Sequence, residues 1–420
     1  MRLLFICDAR SPIARNWMGY FLDRGDEVHV ISSYPLSTAG SRFASIHVVP
    51  LSLSTVMPSR MPTMEPRVRR ADRAALSQSL PARGKRFDRL ARKVQMTLAP
   101  LDLHRHVNRT RTVIAEVAPD LVHALRIPFE GMLGAMAVRE QPLIISVWGN
   151  DFTLHAAQNR VAGIYTRRSM RHANGLHADC QRDARLARAY GFSGTRPSVV
   201  LPGGGGVHVD LFYPGGRDAQ LGAALSITMG CPVVINPRGI REYVHTEAFF
   251  QAIPLVLRVY PEAVFLCIAM ADSNLARNWV SRLAIERSVR LLPAVPHEDM
   301  ATYFRFAAVA VSPSAHDGTP NTLLESMACG CLPVAGDIDS VREWITDGVN
   351  GLLCDPRDPS ALACAIIRSL ADDSFRAHAR THNGQVIAER AEYGAVMRSA
   401  SAFYDHVVRQ YSLGSTPIER

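Results

Sequence analysis

The stretch Val309–Ala335, VAVSPSAHDGTPNTLLESMACGCLPVA, reads as strand, polar loop, helix and strand. Val309–Ser312 is short, apolar and β-branched, and Leu332–Ala335 repeats that character after the helix. Between them, Thr319 can cap the helix and Pro320 can be its first residue. Gly330 suits the left-handed position that ends it. In a parallel sheet, a helix starting at the carboxyl end of a strand turns free amides and positive dipole toward the ligand cleft, a good seat for a diphosphate. Gly318 would let backbone approach closely. Asp317 and Glu325 stand on either side, and ionised carboxylates accept hydrogen bonds from sugar and ribose hydroxyls. Local spacing leaves the plainer reading open: Asp-Gly-Thr-Pro is also an ordinary turn, and Glu325 could be a solvated helix residue.

The same alternation extends in both directions. Before this stretch the pattern predicts strands at Leu3–Cys7, Glu27–Ser32, Ile46–Leu51, Leu121–Ala124, Leu143–Trp148 and Ser198–Leu201. Helices are predicted at Ile13–Arg24 and at about 129–138, 157–171 and 180–190. A second series begins with Val233–Asn236 and continues through Ala263–Ile268, Val289–Leu292, Val309–Ser312, Leu332–Ala335 and Gly351–Leu353. The break falls near 212–229, where Tyr213-Pro-Gly-Gly-Arg217 resembles a linker. The chain has 420 residues, enough for two cores. The fold class expected is therefore α/β: two Rossmann-like domains, with ligands bound outside the carboxyl ends of the strands, in the cleft between them. Residues 1–212 would form the first domain, with a basic insertion at about 56–112. Residues 213–395 would form the second, and 396–420 a C-terminal helix packing back on the first.

Composition removes several function classes. No apolar run is long enough to span a bilayer, and the apolar start Leu3–Cys7 is too short for a signal peptide. The eight cysteines are scattered without zinc-site spacing, which predicts buried free thiols and a cytoplasmic setting. The turn after the first strand, Asp8-Ala-Arg-Ser-Pro-Ile13, lacks the glycines of a dinucleotide site, and no phosphate-binding P-loop occurs. The net charge of +9 is concentrated: residues 60–111 hold fourteen Lys or Arg against Glu65, Asp72, Asp88 and Asp102. Within them, Arg86–Ala99 sets Phe87, Leu90, Val94 and Leu98 near one helical face beside Arg86, Arg89, Arg92 and Lys93. This pattern fits an anionic membrane surface, or equally a solvated basic helix. A mobile cationic loop over an anionic acceptor is a further reading. A nucleic-acid partner is not expected, because no stacking platform or known motif accompanies the charge.

The central stretch resembles the hallmark of the retaining glycosyltransferases of family four, a Glu-x7-Glu block often seen as DG-x-PN-x-LLEAMACG-x-PVVA. Here it reads DGTPNTLLESMACGCLPVA, with Asp317 as the first acid. The resemblance covers nearly the whole chain. It implies the GT-B fold, two facing Rossmann-like domains with a deep interdomain cleft. It also implies transfer of a sugar from a nucleotide diphosphate sugar to an acceptor hydroxyl with retention. By the same resemblance Glu325 would bind the donor ribose, Asp317 the donor sugar, and the amides of Asn321 and Thr322 the diphosphate, with Gly318 and Thr319 in the cradle. Arg238 matches the family's diphosphate-binding Arg, and Arg241 is the nearest cation to the position of its Lys. Gly206–Pro214 is similar to the segment that ends the family's first domain, although His208 takes the place of the usual Asp. Many relatives carry a His where Trp148 stands. In the first domain Asp151 and His123 become the candidates for orienting hydroxyls or for catalysis, beside the readings of a helix cap and a satisfied strand-end histidine. Arg10, Arg15, Trp17 and Trp148 would face the acceptor. The expected donor is of UDP or GDP type, with no metal or other cofactor. The acceptor could be lipid-linked or a polysaccharide, with peripheral contact at the inner face of an anionic membrane. Two other functions remain readable: a nucleotide-sugar 2-epimerase on the same fold, and a non-catalytic sugar-nucleotide-binding protein.

Overall fold

The computed structural model describes residues 1–36, 41–51, 100–241 and 243–414. The basic helix expected at 86–99 and most of the basic segment lie outside these residues, as does the end of the chain beyond 414.

Thirteen strands among the described residues form two separate sheets, and every strand pair is parallel. The first sheet contains β1 (Arg2–Cys7), β2 (Glu27–Ser32), β3 (Ser45–Val48), β4 (Leu121–Ala124), β5 (Leu143–Val147), β6 (Gly175–Ala178) and β7 (Ser198–Val200). Its spatial order is β3-β2-β1-β4-β5-β6-β7. The second contains β8 (Val233–Asn236), β9 (Val264–Cys267), β10 (Val289–Leu291), β11 (Val309–Ser312), β12 (Leu332–Gly336) and β13 (Leu352–Cys354), ordered β10-β9-β8-β11-β12-β13. Parallel neighbours need crossovers, and helices supply them on both faces. The strands are accordingly buried on both sides; β4, β5, β6, β8, β9, β11 and β12 are buried along their whole length.

Strand order reverses between β1 and β4 in the first sheet and between β8 and β11 in the second. These are the switch points at which such sheets bind ligands. The loops after β1, β4, β8 and β11 therefore carry the residues to inspect: Arg10, Arg126, Arg238 and Asp317.

Helix Tyr393–Gly414 brings the chain back to the first domain. Met397, Ala400, Phe403, Tyr404 and Val407 join Trp17 and Phe21 in one core. The Tyr404 ring stacks on Phe21 at 4.7 Å, and the Trp17 indole donates to the Tyr404 hydroxyl at 2.9 Å.

Several elements differ from their sequence reading. Strand β6, Gly-Leu-His-Ala, was not foreseen, because a four-residue run opening on Gly and holding His lacks the branched apolar signature of its neighbours. The helix expected at 129–138 is only Met132–Ala137. A wide turn, Ile127–Gly131, precedes it, with Phe129 at φ +71°. The helix of the central stretch runs Asn321–Ala328 and is capped by Pro320. Thr319 sits before it and uses its hydroxyl elsewhere. Gly330 does take the left-handed conformation, φ +89°. All eight cysteines are free, but burial is uneven: Cys231 and Cys354 are half-buried and Cys364 is exposed.

Candidate active site between the two domains

The C-terminal wall is built at its switch point. The Asp317 carboxylate pairs with Nη2 of Arg238, and Nη1 of the same guanidinium donates to the Thr322 hydroxyl at 3.3 Å. Arg238 is itself set by the Asn236 side chain, which accepts its backbone N–H at 3.0 Å. Leu323 and Leu324 donate back to the Pro320 carbonyl, so the amides of Asn321 and Thr322 lie ahead of the first helical hydrogen bond. Arg238 Nε, Asn236 Nδ2 and Ser314 Oγ are buried without a partner, donors gathered where an anion would sit. Glu325, one turn into the helix, is 5% exposed, and its Oε1 lies 2.8 Å from His297 Nε2. That hydrogen bond raises the His297 pKa against the opposing effect of burial. Arg241 does not join this group; it is exposed and donates to the Tyr243 hydroxyl at 2.9 Å.

The two walls touch beside Asp317. A Cβ on Gly149 would stand 1.7 Å from the Gly318 amide nitrogen, and one on Gly318 would stand 2.0 Å from the Asp179 carboxylate. Only glycine allows backbone to approach backbone this closely. Asp179 accepts from the Gly149 N–H at 3.1 Å and from the Thr319 N–H at 3.4 Å, and its carbonyl accepts the Thr319 hydroxyl. Burial first, then neighbouring Asp183, pushes the Asp179 pKa well up, disfavouring its charged form between the domains. Glu343 accepts from the first amides of helix Gln181–Ala189, at 2.9 Å from Gln181 and 3.1 Å from Arg182. A carboxylate there is favoured by the helix dipole. Arg182 closes the ring by donating to the Gly149 carbonyl at 2.8 Å.

The N-terminal wall requires three corrections. His123 is 1% exposed, and its ring nitrogens meet the Tyr404 hydroxyl and Ser146 Oγ, the latter at 2.7 Å. Ser146 continues to His177, whose other nitrogen meets the Leu201 carbonyl. Burial lowers the pKa of both rings, His177 to about 4. His123 is thus a neutral link in a core network, out of reach of substrate. Asp151 is wholly buried and accepts from Arg126 Nη2 and the Ile127 N–H, both at 3.0 Å, and from the Trp148 N–H at 3.2 Å. It braces the ends of β4 and β5 and has no face toward the cleft. Arg10 is held by both oxygens of Asp8 at 3.0 Å and lies over the Tyr34 ring. Arg15 is exposed, with its Nε on the Ala9 carbonyl. Trp17, placed on the acceptor side by its sequence position, is 1% exposed and stacks on His177 in the core. Trp148 stays half-buried beside Arg126 and Gly203.

Sequence reasoning missed Asp179, Glu343, His297 and Glu130. The first two gain meaning only across the interface. His297, in Pro-His-Glu-Asp directly after a strand and connecting loop, offered a local signal.

Residues 245–372 match the family described as glycosyl transferases group 1. The matched segment lies within the second domain and makes that part of the chain similar to the group 1 glycosyl transferases. It is 29% identical over 203 residues to the D-inositol 3-phosphate glycosyltransferase of Corynebacterium urealyticum, covering 46% of this chain and 47% of that one. The enzyme of the same name from Geodermatophilus obscurus is 31% identical over 230 residues, 52% and 50% of the two chains. The chain thus spans about half the length of the curated relatives it matches. Sucrose-phosphate synthase from Thermosynechococcus elongatus superposes with a TM-score of 0.75 at 15% identity, covering 98% of this chain and all of the other. Anabaena HepE, solved in complex with UDP, gives 0.69 at 16% identity over 97% and 100%. These likenesses establish the fold, GT-B, for both domains.

Proposed function

We propose that this chain is a group 1 glycosyltransferase that moves a sugar from a nucleotide diphosphate sugar to an acceptor hydroxyl, with retention at the anomeric carbon and without a metal. The observation that carries this reading is the group of Asp317, Arg238, Thr322 and Glu325 around one helix start at the switch point of the second sheet. The leaving diphosphate gains charge as the glycosidic bond breaks. Helix-start amides and the Arg238 guanidinium, with its Nε unpartnered, suit that charge and would stabilise it in the transition state. Glu325 would accept from the donor ribose, sharing or replacing its contact with His297, and Asp317 from the donor sugar. Closure of the walls at Gly149 and Gly318 would exclude the water that competes with the acceptor. A UDP-type donor is supported by the UDP and UDP-glucose complexes of Anabaena HepE, and the relatives named for D-inositol 3-phosphate support a hydroxyl acceptor.

Among the described residues no helix is long and apolar enough to cross a membrane. The basic run at 60–111 supports peripheral contact with an anionic bilayer, to be read as vesicle binding that salt weakens. The deciding experiment for the main reading is a thermal-shift screen of UDP-, GDP- and ADP-sugars, followed by sugar transfer in the Glu325→Ala variant. A stabilising donor and loss of transfer are expected. Unchanged transfer in Glu325→Ala would show the site to be misassigned.

A further inference from the structure

At the carboxyl ends of β1, β2, β4 and β5 the first domain holds polar groups that donor binding does not use. Glu130 is 5% exposed, and its Oε1 accepts the Ser33 hydroxyl at 2.7 Å. The turn that presents it is strained, since Phe129 at φ +71° occupies a region that bulky residues avoid. Strain of this kind persists where the surroundings hold it, and it clusters at functional sites. Around the same strand ends three polar atoms are buried without a partner: Arg126 Nε, Trp148 Nε1 and Asn150 Oδ1. The Arg126 guanidinium lies 5.6 Å from the Trp148 ring centre. Tyr243, from the loop after β8, is close enough to act on the charge of Arg126, so this cluster looks across the cleft toward the donor wall.

The charge balance says what would fit. Arg10 is held by both oxygens of Asp8, and Arg126 is held by Asp151. Both guanidinium charges are already met by carboxylates, which makes the cluster poorly suited to a phosphate dianion. What remains is a carboxyl group that Ser33 holds but no ion pair among the described residues neutralises, together with two unpartnered N–H donors and an amide oxygen. Hydroxyl groups, which donate and accept, satisfy that set.

We propose that Glu130, with Ser33, Arg126 Nε, Trp148 Nε1 and Asn150 Oδ1, binds the acceptor as an uncharged polyol, the Glu130 carboxylate orienting its hydroxyls. The inference rests on the glycosyltransferase reading and names the acceptor class for it. It sets this chain apart from relatives whose names specify a phosphorylated inositol. Burial raises the Glu130 pKa to about 7, with Arg126 and Ser33 opposing and Asp8 adding. The other groups facing it are Cys7, Tyr34 and, beyond Tyr34, Arg10. The carboxylate form accepts hydroxyl protons, so polyol binding should tighten as pH rises through 7.

The test is calorimetric titration of the UDP-saturated protein with glucose, myo-inositol, glucose 6-phosphate and inositol 3-phosphate at pH 6 and 8. At least one uncharged polyol should bind more tightly than its phosphate, and more tightly at pH 8. Glu130→Gln and Glu130→Ala should weaken it about tenfold or more and abolish the pH dependence, with UDP affinity unchanged. Retained UDP binding also reports that the variants fold. Binding of the phosphates alone, no binding of either uncharged polyol, or an unchanged Glu130→Gln overturns the inference and leaves the donor reading standing. A wild-type protein that does not bind UDP brings down the donor reading itself.

Discussion

The two walls of the cleft are made in different ways. The C-terminal wall takes most of its chemistry from one run, Asp317 to Glu325, plus Arg238 from the adjacent switch-point loop. The N-terminal wall collects Asp8, Ser33, Arg126, Glu130 and Trp148 from the ends of four strands, scattered over about a third of the chain. A diphosphate is bound by amides and a cation, which one helix start and one Arg can supply. An acceptor must be met from several sides, and residues far apart in sequence supply those directions.

The largest test of this contrast is Arg238→Ala. It removes the guanidinium from the compact wall, and transfer should fall about 10²- to 10³-fold, read as UDP release with a saturating acceptor. A loss below tenfold would mean that the helix amides act alone and that the wall is simpler still. Gly149→Ala comes next, because its new methyl would meet the Gly318 backbone, which cannot swing aside. Closure should stop short and transfer drop about 10²-fold. UDP affinity should change little, and small-angle scattering should show a larger radius of gyration. Full activity in this variant would separate closure from catalysis.

The same contrast explains what could be read in advance. Alternating strands gave the two sheets, since parallel strands buried on both faces are continuously apolar; only β6, with Gly175 and His177, escaped. The wall proposed for the donor could be singled out in the sequence because its parts are contiguous. His123 and Asp151 misled because strand ends on the cleft side hold supporting residues as well as working ones. Nothing in the sequence says that Tyr404 covers the first or that three donors surround the second. Glu130 was invisible for a related reason: its turn depends on a backbone conformation that Phe129 does not advertise.

Asp151 therefore tests the division between support and chemistry. Asp151→Ala leaves the Ile127 and Trp148 amides without their buried acceptor and should cost about 2 kcal/mol of stability by denaturant unfolding. UDP binding to the other wall should be retained. The smallest effect concerns His297, which is half-exposed and so contributes under about 1 kcal/mol through its pair with Glu325. Its folded-state pKa is raised, so the contribution is full below the unfolded value of about 6.5 and fades as pH climbs through the raised one. The stability gap between wild type and His297→Asn should be widest near pH 6 and narrow in alkali. A gap that grows with pH would break this account of the pair.

The returning helix also sets a timetable for synthesis. Trp17 and the hydroxyl it bonds are separated by 387 residues. At about 5 to 20 residues per second, a ribosome needs roughly 20 to 80 s to travel between them. Throughout that interval the first sheet exists without the helix that covers Phe5, Phe21 and His123. The domain made first is therefore finished last, and its apolar flank depends on the second domain being completed promptly.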